Sequence, residues 1–419
     1  MSHTVAEKVL QAHTDEEVKG AGQIVKCRVS LVLANDITAP LSIKSFTAMG
    51  ATQVFDRDKV ALVCDHFTPN KDIESAEQVR LVREFAQKMR VTHYYEGGEV
   101  GVEHALLPEL GLVGPWDVVV GADSHTCTYG GLSAFATGMG STDIAAAMAL
   151  GETWFKVPPT IRVEWNGTLQ PFVGAKDLIL DLIGRIGVSG ALYRALEFGG
   201  PVARDLSVEG RMTVANMAIE AGGKVGLFDA DDKTLAFCRA AGHSSGRPLS
   251  PDPGADYECV LSIDVARMGP QVACPHLPEN VRPAEELAGV RIDQVVIGSC
   301  TNGRIEDLRE AAKILKGRKV ARHVRCIVLP ATPRVWRQAL KEGLIEIFME
   351  ASAIVGPPTC GPCLGGHMGI LAKGERAIAT TNRNFKGRMG SLESEVYLAS
   401  PAVAAASAVA GEIAHPGKL

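Results

Sequence analysis

The feature that most constrains this chain is a recurring alternation. Apolar runs of four to six residues, "KVALVC", "WDVVVGA", "QVVIGS", "VRCIVL", "SAIVG" and "RAIATT", are separated by stretches with helical periodicity. Such short runs suit strands buried on both faces. Between them lie "DIAAAMALGETWF", "AKDLILDLIGRIG", "TLAFCRAAG" and "IEDLREAAKILKG". Asp143 stands near the start of the first, where a carboxylate favours a helix N-terminus. Lys316-Gly317 marks the end of the last. Strand–helix alternation of this kind predicts an α/β architecture with mostly parallel sheets. A chain of 419 residues with 46% hydrophobic content is long enough for several such units. The main boundary is expected at 275–290, in the Pro-rich and charged "PHLPENVRPAEELAG", with a softer composition change at 245–257.

Polar, Gly-rich segments follow the ends of the apolar runs. They carry Asp65-His66, then Asp123-Ser124-His125, then Cys300-Thr301-Asn302, then Cys360 and Cys363, then Asn382-Arg383-Asn384. Ligands of parallel sheets sit beyond the carboxyl ends of strands, so these five loops predict one shared cleft. The net charge of −5 disfavours a general nucleic-acid binder but leaves room for an anionic small substrate. The N-terminal "MSHTVAEKVLQAHTDEEVKGAGQ" has no apolar signal core, and no run is long enough to span a membrane. Ten cysteines in such a chain predict cytosolic thiols or ligands, hence a cytoplasmic protein.

The tetrapeptide Cys360-Gly361-Pro362-Cys363 has three readings. A redox dithiol wants a helix after its first cysteine, and Leu364-Gly365-Gly366 is poor helix material. A structural zinc site wants a second Cys-x-x-Cys, which the chain lacks, although His367 is near. The third reading adds Cys300, giving three thiolates for an iron–sulfur cluster with one iron left open as a Lewis acid. Cys27, Cys64, Cys238, Cys259, Cys274 and Cys326 sit in ordinary apolar or helical settings, and Cys127 is ambiguous.

"GADSHT", "GSCTNGR", "CGPC" before a Gly-rich turn, "TTNRNFKGR" and the closing "YLASPAVAAASAVAGEI" follow one another in that order. Taken together they resemble the aconitase superfamily over nearly the whole chain, and most of all its isopropylmalate-type large subunits. Homoaconitase and dimethylmalate dehydratase large subunits are close relatives. The resemblance implies three α/β/α subdomains around a central cleft. Two intertwined subdomains would occupy 1–285 and carry the acid–base residues; a third, at 286–419, would carry the cysteines and arginines. It implies one 4Fe-4S cluster on Cys300, Cys360 and Cys363 with one open iron. It implies catalytic roles for Asp65 and His66, for His104 with Asp123, and for His125 with Glu220. It implies substrate contacts from Ser124, Asn216, Asn382, Arg383 and Arg388. The implied activity is a hydro-lyase that interconverts 2- and 3-isopropylmalate in leucine biosynthesis, with homocitrate, dimethylmalate and citramalate-like acids as alternatives. Pro40 stands where aconitase itself has a substrate-contacting glutamine, and a proline side chain cannot hydrogen-bond. The mobile swivel domain of single-chain aconitases finds no match here. A separate small subunit is therefore expected to complete a heteromer and to supply the proton-abstracting base.

The residue types suit such chemistry without the resemblance. An imidazole oriented by a carboxylate can protonate a departing hydroxyl. Guanidinium forks pair bidentately with a dicarboxylate. Each also has a purely structural counterpart: Asp123 and Ser124 as helix caps, His104 as a packed histidine, Arg388 as a solvated loop residue.

Overall fold

The computed structural model describes residues 2–244 and 246–419; Ser245, within the softer composition change, lies outside the described residues. Three sheets form the frame. The first runs in the order His93–Tyr95, Val60–Val63, Leu31–Asn35, Val118–Gly121, Phe135–Gly138, with every pairing parallel. The second runs Val225–Phe228, Ala195–Gly199, Thr160–Asn166, Cys259–Asp264, again parallel throughout. The third has a parallel core of Glu395–Ala399, Arg376–Ala379, Gln294–Ile297, Arg325–Val328 and Ile354–Val355. An antiparallel ribbon, Ile24–Arg28 with Glu152–Lys156, stands apart. The central strands Leu31–Asn35, Val60–Val63 and Gln294–Ile297 are buried along their whole length. That is why their sequences are continuous apolar runs rather than alternating ones.

Two antiparallel strands, Gln271–Ala273 and Val281–Pro283, extend the third sheet. They lie within and ahead of the segment expected to separate the subdomains at 285/286. Pro283 does not exclude a strand here, because Val281–Pro283 is the edge strand and proline is tolerated where no ladder N–H is required. Prolines and charges in this stretch therefore mark a sheet edge, not a bare linker.

The helices fall on the expected segments: Ser141–Leu150, Ala175–Ile186, Asp232–Ala240 and Ile305–Leu315. The first is shorter than its periodicity predicts. Gly151 ends it with φ +73°, and Glu152–Lys156 turns into a strand. A Cβ at Gly151 would come within 2.5 Å of the Phe55 ring, so the close packing also demands glycine.

One cysteine departs from expectation. Cys259 is exposed, because it opens Cys259–Asp264, the edge strand of the second sheet. Cys127 is buried and its thiol donates to the Asn216 carbonyl at 3.3 Å, a structural contact.

Candidate active site

The loops after Val60–Val63, Val118–Gly121, Gln294–Ile297, Ile354–Val355 and Arg376–Ala379 meet in one cleft. Its walls bring together Asp65, His66, His104, Asp123, His125, Cys300, Cys360, Cys363, Asn382 and Arg388. Glu220 and Arg383 join them through hydrogen bonds to His125 and to each other, and Asn216 through Cys300. Ser124 opens the short 3-10 helix Ser124–Leu132 beside Asp123 and does not line the cleft itself. Gly138 permits this placement: a Cβ there would sit 2.7 Å from the Asp123 carbonyl.

His66 is fixed from two sides. Its Nδ1 lies 2.7 Å from Asp65 Oδ1 and 3.6 Å from Asp36 Oδ1. The other Asp65 oxygen accepts the Glu103 N–H, and Asp36 accepts the N–H groups of His66 and Phe67. Burial disfavours a charged imidazole, but Asp65 and Asp36 outweigh it and hold His66 well above the usual imidazole range. An imidazole held in this way favours its protonated form, the form from which a ring can give up a proton.

His104 comes out the other way. Its Nε2 lies 3.0 Å from Asp123 Oδ1 and its Nδ1 3.0 Å from the Tyr129 hydroxyl. Burial prevails over Asp123, and its pKa falls below the ordinary value. Asp123 also caps the helix by accepting the His125 N–H at 2.7 Å. The capping bond and the His104 contact thus share one carboxylate oxygen. Its bonds to His104 and His125 overcome burial and keep it well below the usual carboxylate range. His125 Nε2 pairs with Glu220 Oε1 at 2.9 Å, and Arg383 Nε donates to the same oxygen at 2.7 Å. Burial and Arg383 push His125 down, but Asp123 and Glu220 leave it raised.

The opposite wall is sulfur. Cys300, Cys360 and Cys363 form one buried group with Val102. Cys300 lies in the four-residue helix Ser299–Asn302, entered through Ser299 at φ 84°. Gly298 makes the approach possible, since a Cβ there would be 2.6 Å from the Leu329 carbonyl. Amides of Asn216 and Asn382 donate to Cys300 Sγ at 3.2 and 3.4 Å. Gly361–Leu364, with Cys360 at its N-cap, is a 3-10 turn, too short to offer the α-helix terminus of a thioredoxin-like dithiol. The hydrogen bond from Cys360, aided by the Arg388 guanidinium, holds Cys363 well below the ordinary thiol range. Arg388 Nε is buried without a partner, and Arg388 Nη2 lies 3.9 Å from Cys363 Sγ.

Sequence reasoning missed three residues. Asp36 follows the strand Leu31–Asn35 and would have been found by the same strand-end rule. Glu103 lines the cleft; burial, then Asp65 and Asp123, raise its pKa well above the usual range, and its Oε2 is buried without a partner. Arg304 reaches from the cysteine loop to the His104 carbonyl at 3.3 Å; it closes the motif "GSCTNGR", which signalled the loop but gave this residue no role.

The aconitase (aconitate hydratase) family model matches residues 7–288 and 280–411. The chain belongs to the aconitase family. It is 78% identical over 419 residues, all of both chains, to the 3-isopropylmalate dehydratase large subunit of Nitratidesulfovibrio vulgaris (strain DSM 19637 / Miyazaki F). Identity to the protein of the same name from Oleidesulfovibrio alaskensis is 74%, and from Halothermothrix orenii 60%, again over the full length of each. The fold is aconitase-like. The crystal structure of Thermococcus kodakaraensis aconitase X (holo-form) superposes with a TM-score of 0.50, covering 91% of this chain and 93% of that one at 14% identity.

Proposed function

We propose that this chain is the large subunit of a 3-isopropylmalate dehydratase, a cytoplasmic hydro-lyase of the route to leucine. The observation that carries this reading is the convergence of three thiol sulfurs on a cleft whose facing wall holds three imidazole–carboxylate pairs. The donor set fits a four-iron cluster. Three buried sulfurs meet there, amide and guanidinium donors point at them, and Cys127, the other cysteine nearby, is committed to a carbonyl. When bound by Cys300, Cys360 and Cys363, the cluster supplies Lewis acidity for the departing hydroxyl of a hydroxy-diacid.

The chain's own residues do the rest. His66 gives its proton to the leaving oxygen, and Asp65 with Asp36 stabilises the charge it carries beforehand. Neutral His104 and the His125–Glu220 pair hold further protons in place around the same space. Arg388, with an uncommitted Nε, and Arg383, whose Nη groups remain beyond its bond to Glu220, suit the substrate carboxylates. The proton on the neighbouring carbon is taken by a base from a small partner subunit, which also closes the pocket around the alkyl group. No helix among the described residues is long and apolar enough to cross a membrane.

The test is anaerobic reconstitution with iron and sulfide, with and without the small subunit. Interconversion of 2- and 3-isopropylmalate is expected only when both the metal and the partner are present. Homocitrate, 2,3-dimethylmalate and citramalate should turn over more slowly. Full activity of the isolated chain, activity indifferent to iron removal, or a preference for one of the other acids would overturn the proposal.

A further inference from the structure

Lys176 is the second residue of helix Ala175–Ile186 and is 1% exposed. Its Nζ donates to the carbonyls of Thr380 and Thr381, at 2.9 and 2.5 Å. These carbonyls immediately precede Asn382, whose amide donates to Cys300 Sγ and to Asn216 Oδ1. The neighbouring Asp177 is engaged elsewhere, accepting from Gly174 N and Gln271 N at 2.9 and 2.7 Å. No salt bridge to Lys176 is formed among the described residues, yet a buried ammonium without a counter-ion is costly. Burial alone drives this one down to about 7. The strongest groups opposing that fall are Cys363 and Cys300, ahead of Asp307 and Asp177.

We propose that Lys176 is the fixed counter-charge of the bound cluster and the residue that positions the Thr380–Asn382 turn against it. A four-iron core held by three thiolates carries net negative charge, and net charge and hydrogen bonding set its reduction potential. A cation fixed in the protein interior acts over several ångströms with little screening. Lys176 therefore favours the more negative, reduced form of the cluster and raises its midpoint potential. This inference rests on the reading of Cys300, Cys360 and Cys363 as cluster ligands.

The experiment compares the unaltered full-length chain with Lys176→Met, Lys176→Gln and Lys176→Arg after anaerobic reconstitution. It reads iron and sulfide per chain, circular dichroism, and the one-electron midpoint potential followed by electron paramagnetic resonance. In the Met and Gln variants the reduction equilibrium is expected to become about tenfold or more less favourable, 59 mV for one electron. The Arg variant should stay close to the unaltered chain. A folded Met variant that holds no cluster, beside an Arg variant that does, supports the inference equally. If the Met chain does not fold, the Gln chain, which keeps a donor for the carbonyls, carries the measurement. Loaded Met or Gln chains with an unchanged potential overturn it. An unaltered chain that takes up no cluster overturns the ligand reading itself, a failure read before any variant is compared.

Discussion

His66 and His104 stand in the same cleft, both buried and both beside an aspartate, yet their pKa values move in opposite directions. His66 Nδ1 faces Asp65 and Asp36 together. His104 Nε2 faces Asp123, already engaged by His125, and Glu103 at 3.5 Å, whose carboxyl burial holds well above the usual range, and its other nitrogen meets a neutral phenol. The contrast shows that one neighbouring carboxylate does not suffice to charge a buried imidazole. What decides is how many ionised carboxylates face the ring, set against the cost of burying its charge.

The largest break in this contrast is expected from Asp65→Asn. It removes the stronger anion from His66 and should lower kcat by about 10²–10⁴ with little change in KM. It should also move the alkaline limb of the kcat–pH profile to lower pH, because His66 loses its proton more easily. An unmoved limb would separate His66 from proton donation. Asp123→Asn strikes both His104 and His125 and should cost kcat roughly 10²-fold. It should leave the alkaline limb nearly in place, since Asp65 and Asp36 are the groups that hold His66 raised.

His66→Gln sharpens the contrast through stability. The folded pKa of His66 lies above its unfolded value, so its stabilising contribution is full below about pH 6.5 and fades as pH rises through the folded value. The deficit in Tm of the variant should be greatest near pH 6 and shrink toward alkaline pH; a deficit that grows with pH would contradict the assignment. The smallest effect belongs to Tyr129→Phe, which removes one neutral hydrogen bond to His104. At about 1 kcal/mol for such a bond, kcat should change by less than about fivefold in a steady-state assay.

Much of this arrangement was legible in the sequence. The six apolar runs fall on parallel strands, five of them largely buried and the sixth, Ile354–Val355, a two-residue edge strand, and the loops behind five of them carry the cleft. The ribbon strand Glu152–Lys156 was hidden inside a helical pattern, because a glycine alone does not reveal that an aromatic ring sits against it. Glu103 was passed over because a single acid beside a histidine has no periodic or motif signature; its burial arises from Asn35 and Asp65, far away in the chain. Lys176 was invisible for a similar reason. It begins an ordinary amphipathic helix, and its partners, the carbonyls of Thr380 and Thr381 just past the strand Arg376–Ala379, lie far away in the chain.

A single oxygen, the carbonyl of Asp65, receives both the Cys360 N–H and the Thr359 hydroxyl, each at 2.9 Å. The turn that carries Cys360 and Cys363 is therefore stitched to the backbone of the Asp65–His66 pair. Any shift of that turn is transmitted to the Asp65–His66 backbone in the same movement, so the sulfur wall and the imidazole wall behave as one joint rather than two independent parts.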